Sequence, residues 1–514
     1  MSHSRRDFIK FVVAGSVTAG CPIDSTLLAA PAEAGPGPQI DSEHFEICHQ
    51  VRDGHRFDVP APTKSAAIII IGGGVAGLSA AYFLRGQDFL LLEKEDHFGG
   101  NAFQEEYEGQ PFATGSAFAY KGDYGDQLSG EMGLKLLPVN NPDPTIVNNA
   151  FVPDTWRAGI EHLPYTREVR ESFRKFRDDV MKIKLRERVA ELDSEPFSKY
   201  TAGYAPEIQQ WWDGYGPSNW GAIAQDTSAL LGIGSLQDIT SGGEDQRVIL
   251  PGGLGCITHK LIAKLQPQYK ERLLGNSTVV SIATDKAEAR VTYHRDGKLT
   301  TVAAKAVIVC VPKLIASRLI SGLPADQKAA MQHTRYAPYP VVNLIFDKPV
   351  YNRGYDSWCP GNVFTDFIVA DWTVRNTAGY QQKHNILTFY TPLRENQRFT
   401  LLDDENCKSL AARVLADFQK LMPEFNVNPV EVRLYRRGHP MFMAVPGQFT
   451  KNRLSAAQPM ERVFFGNADS GGPESLTSES IRLSKTAAEW SAKVLAGDPN
   501  AKALALTALA ASFQ

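Results

Sequence analysis

Residues 65–101, SAAIIIIGGGVAGLSAAYFLRGQDFLLLEKEDHFGGN, constrain the fold more than any other stretch of the chain. The run Ile68 to Ile71 is short and uninterruptedly apolar, which predicts a buried strand. Gly72-Gly73-Gly74-Val75-Ala76-Gly77 follows, a GxGxxG pattern, and then a helix-like run with Val75, Leu78, Ala81 and Leu84 on one face. Gly86 ends that helix, Phe89 to Leu92 predicts a second strand, and Glu93-Lys94 closes it. Each glycine has its own task. Gly72 permits the tight turn out of the strand, Gly74 lets backbone approach a pyrophosphate, and Gly77 lets the helix pack on the strand. Val75 and Ala76 open the helix, whose free N–H groups and positive dipole end suit a phosphate. Glu93 lies 21 residues after Gly72, where an acid accepts hydrogen bonds from ribose hydroxyls. Without its flanking strand and helix the glycine pattern would be only a tight turn; with them it predicts a dinucleotide site in an α/β sheet.

The chain has 514 residues, which is room for two or three domains at roughly 150 residues each. Its 43% hydrophobic content supports a large core and excludes global disorder. A formal net charge of −3 argues against nucleic acid as a partner. Ser4-Arg5-Arg6-Asp7-Phe8-Ile9-Lys10 resembles the twin-arginine export signal S-R-R-x-F-L-K, with Ile9 in place of Leu. The apolar run that follows, Phe11 to Ala19, is shorter than the ~20 residues that span a bilayer, so no stable transmembrane anchor is expected. Ala32-Glu33-Ala34 fits a cleavage site, making residues 1–34 a signal peptide and the periplasm the expected destination. Lipid attachment at Cys21 is disfavoured by Thr18, which stands where a lipobox carries Leu or Val. The twin-arginine route exports folded proteins, often with a cofactor already inserted, which agrees with the glycine motif. None of the six cysteines forms CxxC, so zinc ribbons and iron–sulfur runs have no support. No metal site is expected at Cys48-His49, and one or two disulfides could form in an oxidising compartment.

Residues 35–64, rich in Gly, Pro and Asp, read as an extended lead-in. Gly99-Gly100 can bring backbone close to the dinucleotide again. Thr114-Gly115-Ser116 is a small-residue segment against which a planar ring could lie, or an ordinary turn. Residues 155–215 read as helical, with a charge run at 167–191 that is a solvated face. Trp211 and Trp220, near Trp212 and Tyr215, either line a pocket or fill core. Strands are predicted at 278–282, 289–294, 300–303, 306–311, 338–350 and 385–391, with a hairpin turn at Asp296-Gly297. Helices are predicted at 256–265, 403–421 and 478–495, and a strand at 462–467 ends at a glycine.

Taken in order, GGGVAGLSAAYFL, LLLEKEDHFGGNA, LPGGLGCITHKLIAKL, VVSI with AVIVCVP, and VFFGNADSGG before the last helix resemble the flavin-containing amine oxidase superfamily across residues 65–495. The resemblance implies FAD as cofactor. It implies an α/β fold with a discontinuous Rossmann-type FAD-binding domain (65–117, 246–325 and 460–497), an α+β substrate domain (118–245 and 326–459) and a tail at 498–514. On this resemblance Gly72, Gly74 and Gly77 cradle the pyrophosphate, and Glu93, with Lys94 beside it, holds the adenosine ribose. Gly100 and Asn101 pass near the phosphate and ribityl region, though many relatives carry arginine where Asn101 stands. Val279 meets the adenine through its backbone. Gly466 and Asn467 match F-A-G-[DE] beside the ribityl chain, with Asn467 replacing the acid. Backbone N–H groups at Leu476 and Thr477 face the flavin ring.

The reaction is less constrained. Many oxidases of the family place a lysine near flavin N5; Asn343 falls there, with Lys348 on a shifted register. The paired tyrosines of monoamine oxidases are replaced near Pro440 and Leu476. His439, in Arg436-Arg437-Gly438-His439-Pro440, is a candidate base or polar contact, or a structural loop histidine. Arg437 and Arg436 could bind a substrate carboxylate, and Trp211 and Trp220 are candidate substrate contacts. Asp226, Asp238, Glu244 and Asp245 are candidates for the remote ammonium of a polyamine. The expected activity is oxidation of an amine or polyamine C–N bond, with oxygen, a redox protein or a quinone as electron acceptor. Two other classes fit the same motifs: a flavin-dependent C–C desaturase or isomerase of an apolar substrate, and an electron-transfer flavoprotein without a small-molecule substrate.

Overall fold

The computed structural model describes residues 36–505 except 42, 142, 499 and 504. The twin-arginine motif, the cleavage site and Cys21 lie outside the described residues. The isoleucine run is apolar at every position because its strand, Lys64–Ile71, is covered on both faces. Ile68 and Ile70 pack with Leu78, Leu261 and Ile481 from helices Val75–Phe83, Gly255–Tyr269 and Thr477–Leu495. Ile69 and Ile71 point the other way, against Val291, Val307, Ala316 and Met331. The four isoleucines are at most 3% exposed, each contributing roughly 1.5–3 kcal/mol of burial.

This strand belongs to a seven-stranded sheet. Phe89–Leu92 and Lys298–Val309 flank it in parallel, and Leu273–Leu274 extends the Phe89 edge. The segments predicted as two strands at 300–303 and 306–311 form one, Lys298–Val309. Its outer edge is shared: the first half pairs with the antiparallel strand Ala289–Arg295, and Val307 to Val309 pair in parallel with Val463–Phe465. Thr278–Thr284 completes the antiparallel end.

A second, eight-stranded sheet carries Glu431–Tyr435, Val341–Phe346, Asn385–Tyr390, Asp366–Val369 and Asp356–Trp358 side by side. One face packs on helix Asp404–Leu421 through Leu344, Phe389, Val414 and Phe418. The other turns Val341, Ile345 and Tyr390 towards Phe112 and Ala113 of the first half of the chain. The lead-in differs from the extended segment expected. Gln39–Ile40 pairs in parallel with Arg433 and Leu434, and Glu46–Arg52 is a helix.

A helical lobe comprises Arg167–Met181, Pro206–Trp220 and Ala229–Ser241. Trp211 and Trp220 are its core: Trp212 stacks on Trp220 at 5.6 Å, Trp156 meets Trp211 edge-on at 5.2 Å, and neither Trp211 nor Trp220 borders the cavity described below. The pocket alternative is therefore corrected: adjacent aromatics on one buried helix fill volume with each other. All five cysteines among the described residues are free thiols. No helix among the described residues is long and apolar enough to cross a membrane.

Candidate active site

A cavity of about 1330 Å³ runs between the two sheets, larger than the roughly 300–1,000 Å³ of ordinary ligand pockets. One border is the glycine turn. Gly72 adopts φ +98°, and a side chain at Gly77 would stand 1.8 Å from the Gly72 carbonyl oxygen, so helix and turn meet backbone to backbone. Gly77 thus sits behind the cavity and sets the helix angle. Gly74 faces the cavity, where a side chain would meet only the Gly99 and Gly100 backbone within 4 Å, and Gly99 N–H donates to the Gly73 carbonyl at 2.9 Å. Gly100 needs φ +55°, which brings the second glycine pair onto the first. The helix Val75–Phe83 has no side-chain cap, which leaves its first-turn N–H groups for a ligand.

Glu93 is 9% exposed, borders the cavity and accepts the Gly73 and Glu95 N–H groups. Burial raises its carboxyl, while Lys94 opposes the rise. Lys94 also borders the cavity and pairs with Glu43 and Glu95. Val279 lines the cavity. Asn101 lines it too, but its Nδ2 donates to the Pro440 carbonyl at 3.0 Å, tying the double-glycine turn to the RRGHP loop. Gly115 and Ser116 line the wall; Thr114 lies behind, donating to the Phe103 carbonyl at 2.8 Å. Asn467 faces the cavity, whereas Gly466 is packed against the Cys310 thiol and Ser484. Leu476 and Thr477 line the wall at the uncapped start of the last helix.

Behind Asn467 lies an ion pair invisible in the sequence. Lys313 Nζ bonds Asp469 Oδ1 at 2.7 Å, with both side chains 0% exposed, and the Tyr336 hydroxyl donates to Asp469 Oδ2 at 2.6 Å. Burial pushes the lysine down and Asp469 opposes it. The pair fastens the loop after Val463–Phe465 to the start of helix Lys313–Leu319.

The remaining walls carry opposite charge. Arg52, Arg318, Arg398, Arg436 and Arg437 border the cavity with His439. Arg398 Nε donates to the Gly438 carbonyl at 2.9 Å, and Arg318 Nη1 to the Arg52 carbonyl at 2.7 Å. Arg437 is 7% exposed, with Asp41 3.7 Å away and with Nε and Nη2 bonded to no protein group. Burial and the neighbouring Arg398 push the His439 imidazole down to about 3, so it is neutral at physiological pH.

On the other wall stand Asp143, Glu244, Asp356 and Asp366 around Arg247. Arg247 Nη1 bonds Asp143 Oδ2 at 2.8 Å, Nη2 bonds Asp143 Oδ1, and Nη1 lies 3.5 Å from Asp356 Oδ2. Trp358 Nε1 also donates to Asp143, at 3.2 Å. Tyr215, Tyr339 and Tyr390 line the same region, and the Tyr390 hydroxyl reaches the Gly115 carbonyl at 2.7 Å. Burial pushes Asp366 up to about 7, and burial with Asp143 pushes Glu244 up to about 8. Asp356 rises well above the carboxylate range for the same reasons.

Asn343 is corrected by this geometry. It is 0% exposed and outside the cavity wall; Nδ2 donates to the Ala113 carbonyl at 3.3 Å and Oδ1 accepts from Thr388 at 2.6 Å. It joins the second sheet to the Ala113–Ser116 segment and touches no ligand space. Lys348 is exposed. Of the acids proposed for a remote ammonium, Asp238 and Glu244 border the cavity, whereas Asp226 is exposed and Asp245 pairs with Arg157 at 3.0 Å.

Residues 75–489 match the family model of flavin containing amine oxidoreductases. The chain belongs to this family. Among its relatives, oxidoreductase PigB of Serratia sp. (strain ATCC 39006) is 23% identical over 264 residues, 48% of this chain and 38% of that protein. The chloroplastic protoporphyrinogen oxidase 1 of Spinacia oleracea is 24% identical over 321 residues, 54% and 56% of the two chains. The chain spans about half the length of the curated relatives it matches. A solved putrescine oxidase bound to putrescine shares the fold at a TM-score of 0.66 and 18% identity, covering 85% of this chain and all of that one. FAD is accordingly the cofactor of this flavin-containing amine oxidoreductase fold, and the observed residues fit it. The open face at Gly74, the uncapped helix ends at Val75 and Thr477, and the buried Glu93 carboxylate supply what a dinucleotide demands of a protein.

Proposed function

We propose that the protein is an exported FAD-dependent oxidoreductase that oxidises a C–N bond of an amine. The acidic wall carries this reading: four carboxyl groups face the cavity around a single guanidinium. An ammonium finds carboxyl acceptors there that can ionise against it, a carboxylate finds the one guanidinium already engaged by Asp143, and an apolar polyene would leave these groups desolvated without partners. Bound FAD supplies the two-electron sink for the hydride equivalent leaving the carbon beside the nitrogen. Gly72, Gly74 and the Val75 helix start hold the pyrophosphate, and Glu93 accepts from the ribose hydroxyls. The first-turn N–H groups at Thr477 offer positive potential to the charge that gathers on the ring. The reacting nitrogen must shed its proton first, and desolvation on entering the cavity favours its neutral form. Tyr215, Tyr339 and Tyr390, which burial keeps un-ionised, position the substrate without adding charge.

The deciding experiment mixes oxidised holoprotein with 1-aminobutane or butane-1,4-diamine without oxygen and follows the flavin absorbance. Bleaching is the expected result. Bleaching by a polyene and by no amine would move the protein to the desaturase class; reduction only by a redox protein would make it an electron carrier. The export reading rests on Ser4–Lys10. Cell fractionation checks it: the protein is expected in the periplasm, and Arg5→Lys with Arg6→Lys is expected to hold it in the cytoplasm.

A further inference from the structure

The lead-in crosses from one sheet to the other over the Glu93 end of the cavity. Its start is fixed to the second sheet: Gln39–Ile40 pairs with Arg433 and Leu434, and Arg436 Nε donates to the Asp41 carbonyl at 3.0 Å. Its end is fixed to the nucleotide sheet, where Thr63 N–H donates to the Thr301 carbonyl at 3.2 Å and strand Lys64–Ile71 begins. Between these anchors the chain is held lightly. No residue from 43 to 65 is buried, the helix Glu46–Arg52 included. No backbone N–H from 56 to 62 donates to a partner among the described residues. A segment with so little packing belongs to the low-stability end of a fold, where local opening costs least.

What this segment does touch is the nucleotide end of the cavity. Phe45, Cys48, Val51 and Arg52 border the cavity alongside Glu93 and Val279. The polar fastenings converge on the acid assigned to the ribose. Glu43 lies 3.5 Å from Lys94 Nζ, His44 N–H donates to Glu95 Oε2 at 3.1 Å, and Glu95 N–H donates in turn to Glu93 Oε1 at 2.9 Å. Arg318 Nη1 holds the Arg52 carbonyl at the far end of the helix. Val51 is the apolar foothold, packed against the cluster that contains Val279, Ile282 and Leu319. Phe45, Cys48 and Val51 are each half-buried, with protein on one side and the cavity on the other.

We propose that residues 43–52 are a lid over the nucleotide, whose closed position is completed by the adenosine half of FAD and which in turn retains FAD. The nucleotide covers the half-buried side chains from below and so supplies the packing that the segment lacks by itself. The coupling is reciprocal: whatever free energy FAD lends to closure, closure lends to the binding of FAD. FAD therefore enters and leaves at this end, where its covering is a segment without a buried residue, while the acidic wall lies elsewhere in the cavity and takes no part.

Cys48 reports the lid. Burial, with Glu43 and Glu93 close by, pushes its thiol up against the opposing Lys94, so it alkylates slowly while the lid is shut. Cys359, 0% exposed in the core behind the second sheet, reports global opening. Holoprotein and protein stripped of FAD are treated with iodoacetamide, and each modified thiol is assigned by peptide mass. The ratio of Cys48 to Cys359 modification rates is expected to rise by about tenfold or more when FAD is removed. An unchanged ratio overturns the lid. Retention is read in Val51→Asp, which sets a charge against the Val279 cluster and undocks the helix. Release of FAD, followed by the gain in flavin fluorescence on dilution, is expected to be about tenfold faster than in the wild type, and about twofold faster in Glu43→Gln, which weakens one partly exposed ion pair. If Val51→Asp releases FAD at the wild-type rate while Cys48 alkylates freely, the segment covers the nucleotide without retaining it and the proposal falls. Where Val51→Asp yields no flavin-bound protein, the wild-type thiol ratio decides alone.

Discussion

The two charged walls of the cavity respond to burial in opposite ways. Desolvation disfavours charge on both. On the basic wall the charges are guanidinium groups, which cannot lose a proton in a protein, so the groups that yield are imidazoles: His49 is pushed down by burial and Arg52, and His439 down to about 3. On the acidic wall the charges are carboxyls, which can take up protons, and they do: Asp366 up to about 7 and Glu244 up to about 8. One wall is thus fixed in charge and the other adjustable. A fixed positive wall suits a resident anionic group, and an adjustable negative wall suits a cation that comes and goes.

The contrast can be broken most forcefully at Arg247. Arg247→Met removes the guanidinium that stands among three buried carboxyls and the half-buried Glu244, and is expected to cost about 3–5 kcal/mol. The loss should be larger at pH 8 than at pH 6, because protonated carboxyls tolerate its absence; thermal unfolding at the two pH values measures this. Equal losses at both would mean the acidic wall stores no protons.

A subtler probe is the pH dependence of stability. Asp366 is protonated in the folded chain up to about pH 7, whereas an unfolded aspartate ionises near 3.9. Between those values the folded state holds the extra proton, so stability falls as pH rises. A gap of about three pH units corresponds to roughly 4 kcal/mol between pH 4 and pH 8. Denaturant unfolding of the wild type should show this decline, and Asp366→Asn should make it shallower, with Glu244 and Asp356 keeping their own share.

The smallest effect is expected on the basic wall. A general base contributes on the order of 10²–10⁴ in rate, but an imidazole held near 3 is a poor acceptor at neutral pH. His439→Gln should lower kcat/KM by less than about tenfold and leave the shape of its pH profile from 5 to 8 unchanged. Loss of the acidic limb of that profile would place a working base on this wall and abolish the distinction drawn between the two.

The nucleotide half of the molecule was legible because its chemistry is local. Strand, turn, helix and acid follow one another within 65–101, and Gly72, Gly74 and Glu93 border the cavity. The acidic wall has no such signature. Asp143, Glu244 with Arg247, and Asp356 with Asp366 come from three separate segments, and their meeting depends on the pairing of strands far apart in the chain. A trace existed in DSW and DFIV: an aspartate at the head of a short apolar strand is costly to bury unless something needs it. Trp211 and Trp220 misled in the opposite direction. Aromatics crowd into lining and core alike, and only the tertiary contacts distinguish the two. Asn343 follows from rough placement within PVVNLIFDKPV; its side chain is spent on the Ala113 carbonyl and the Thr388 hydroxyl, behind the cavity wall.

The pairing of Gln39–Ile40 with Arg433 and Leu434 also sets the order of events during synthesis. The nucleotide sheet repeats the theme, taking strands from Lys64 to Phe465. A ribosome adding roughly 5–20 residues per second needs on the order of 20–80 s between the first of these partners and the last. Throughout that interval the glycine cradle has no roof, because Asn467 and the Thr477 helix are still unmade. A translocation path that threaded the N-terminus across a membrane as it emerged would hold the two ends apart until the last residue had crossed. A path that waits for the finished molecule keeps them, and the flavin between them, on one side.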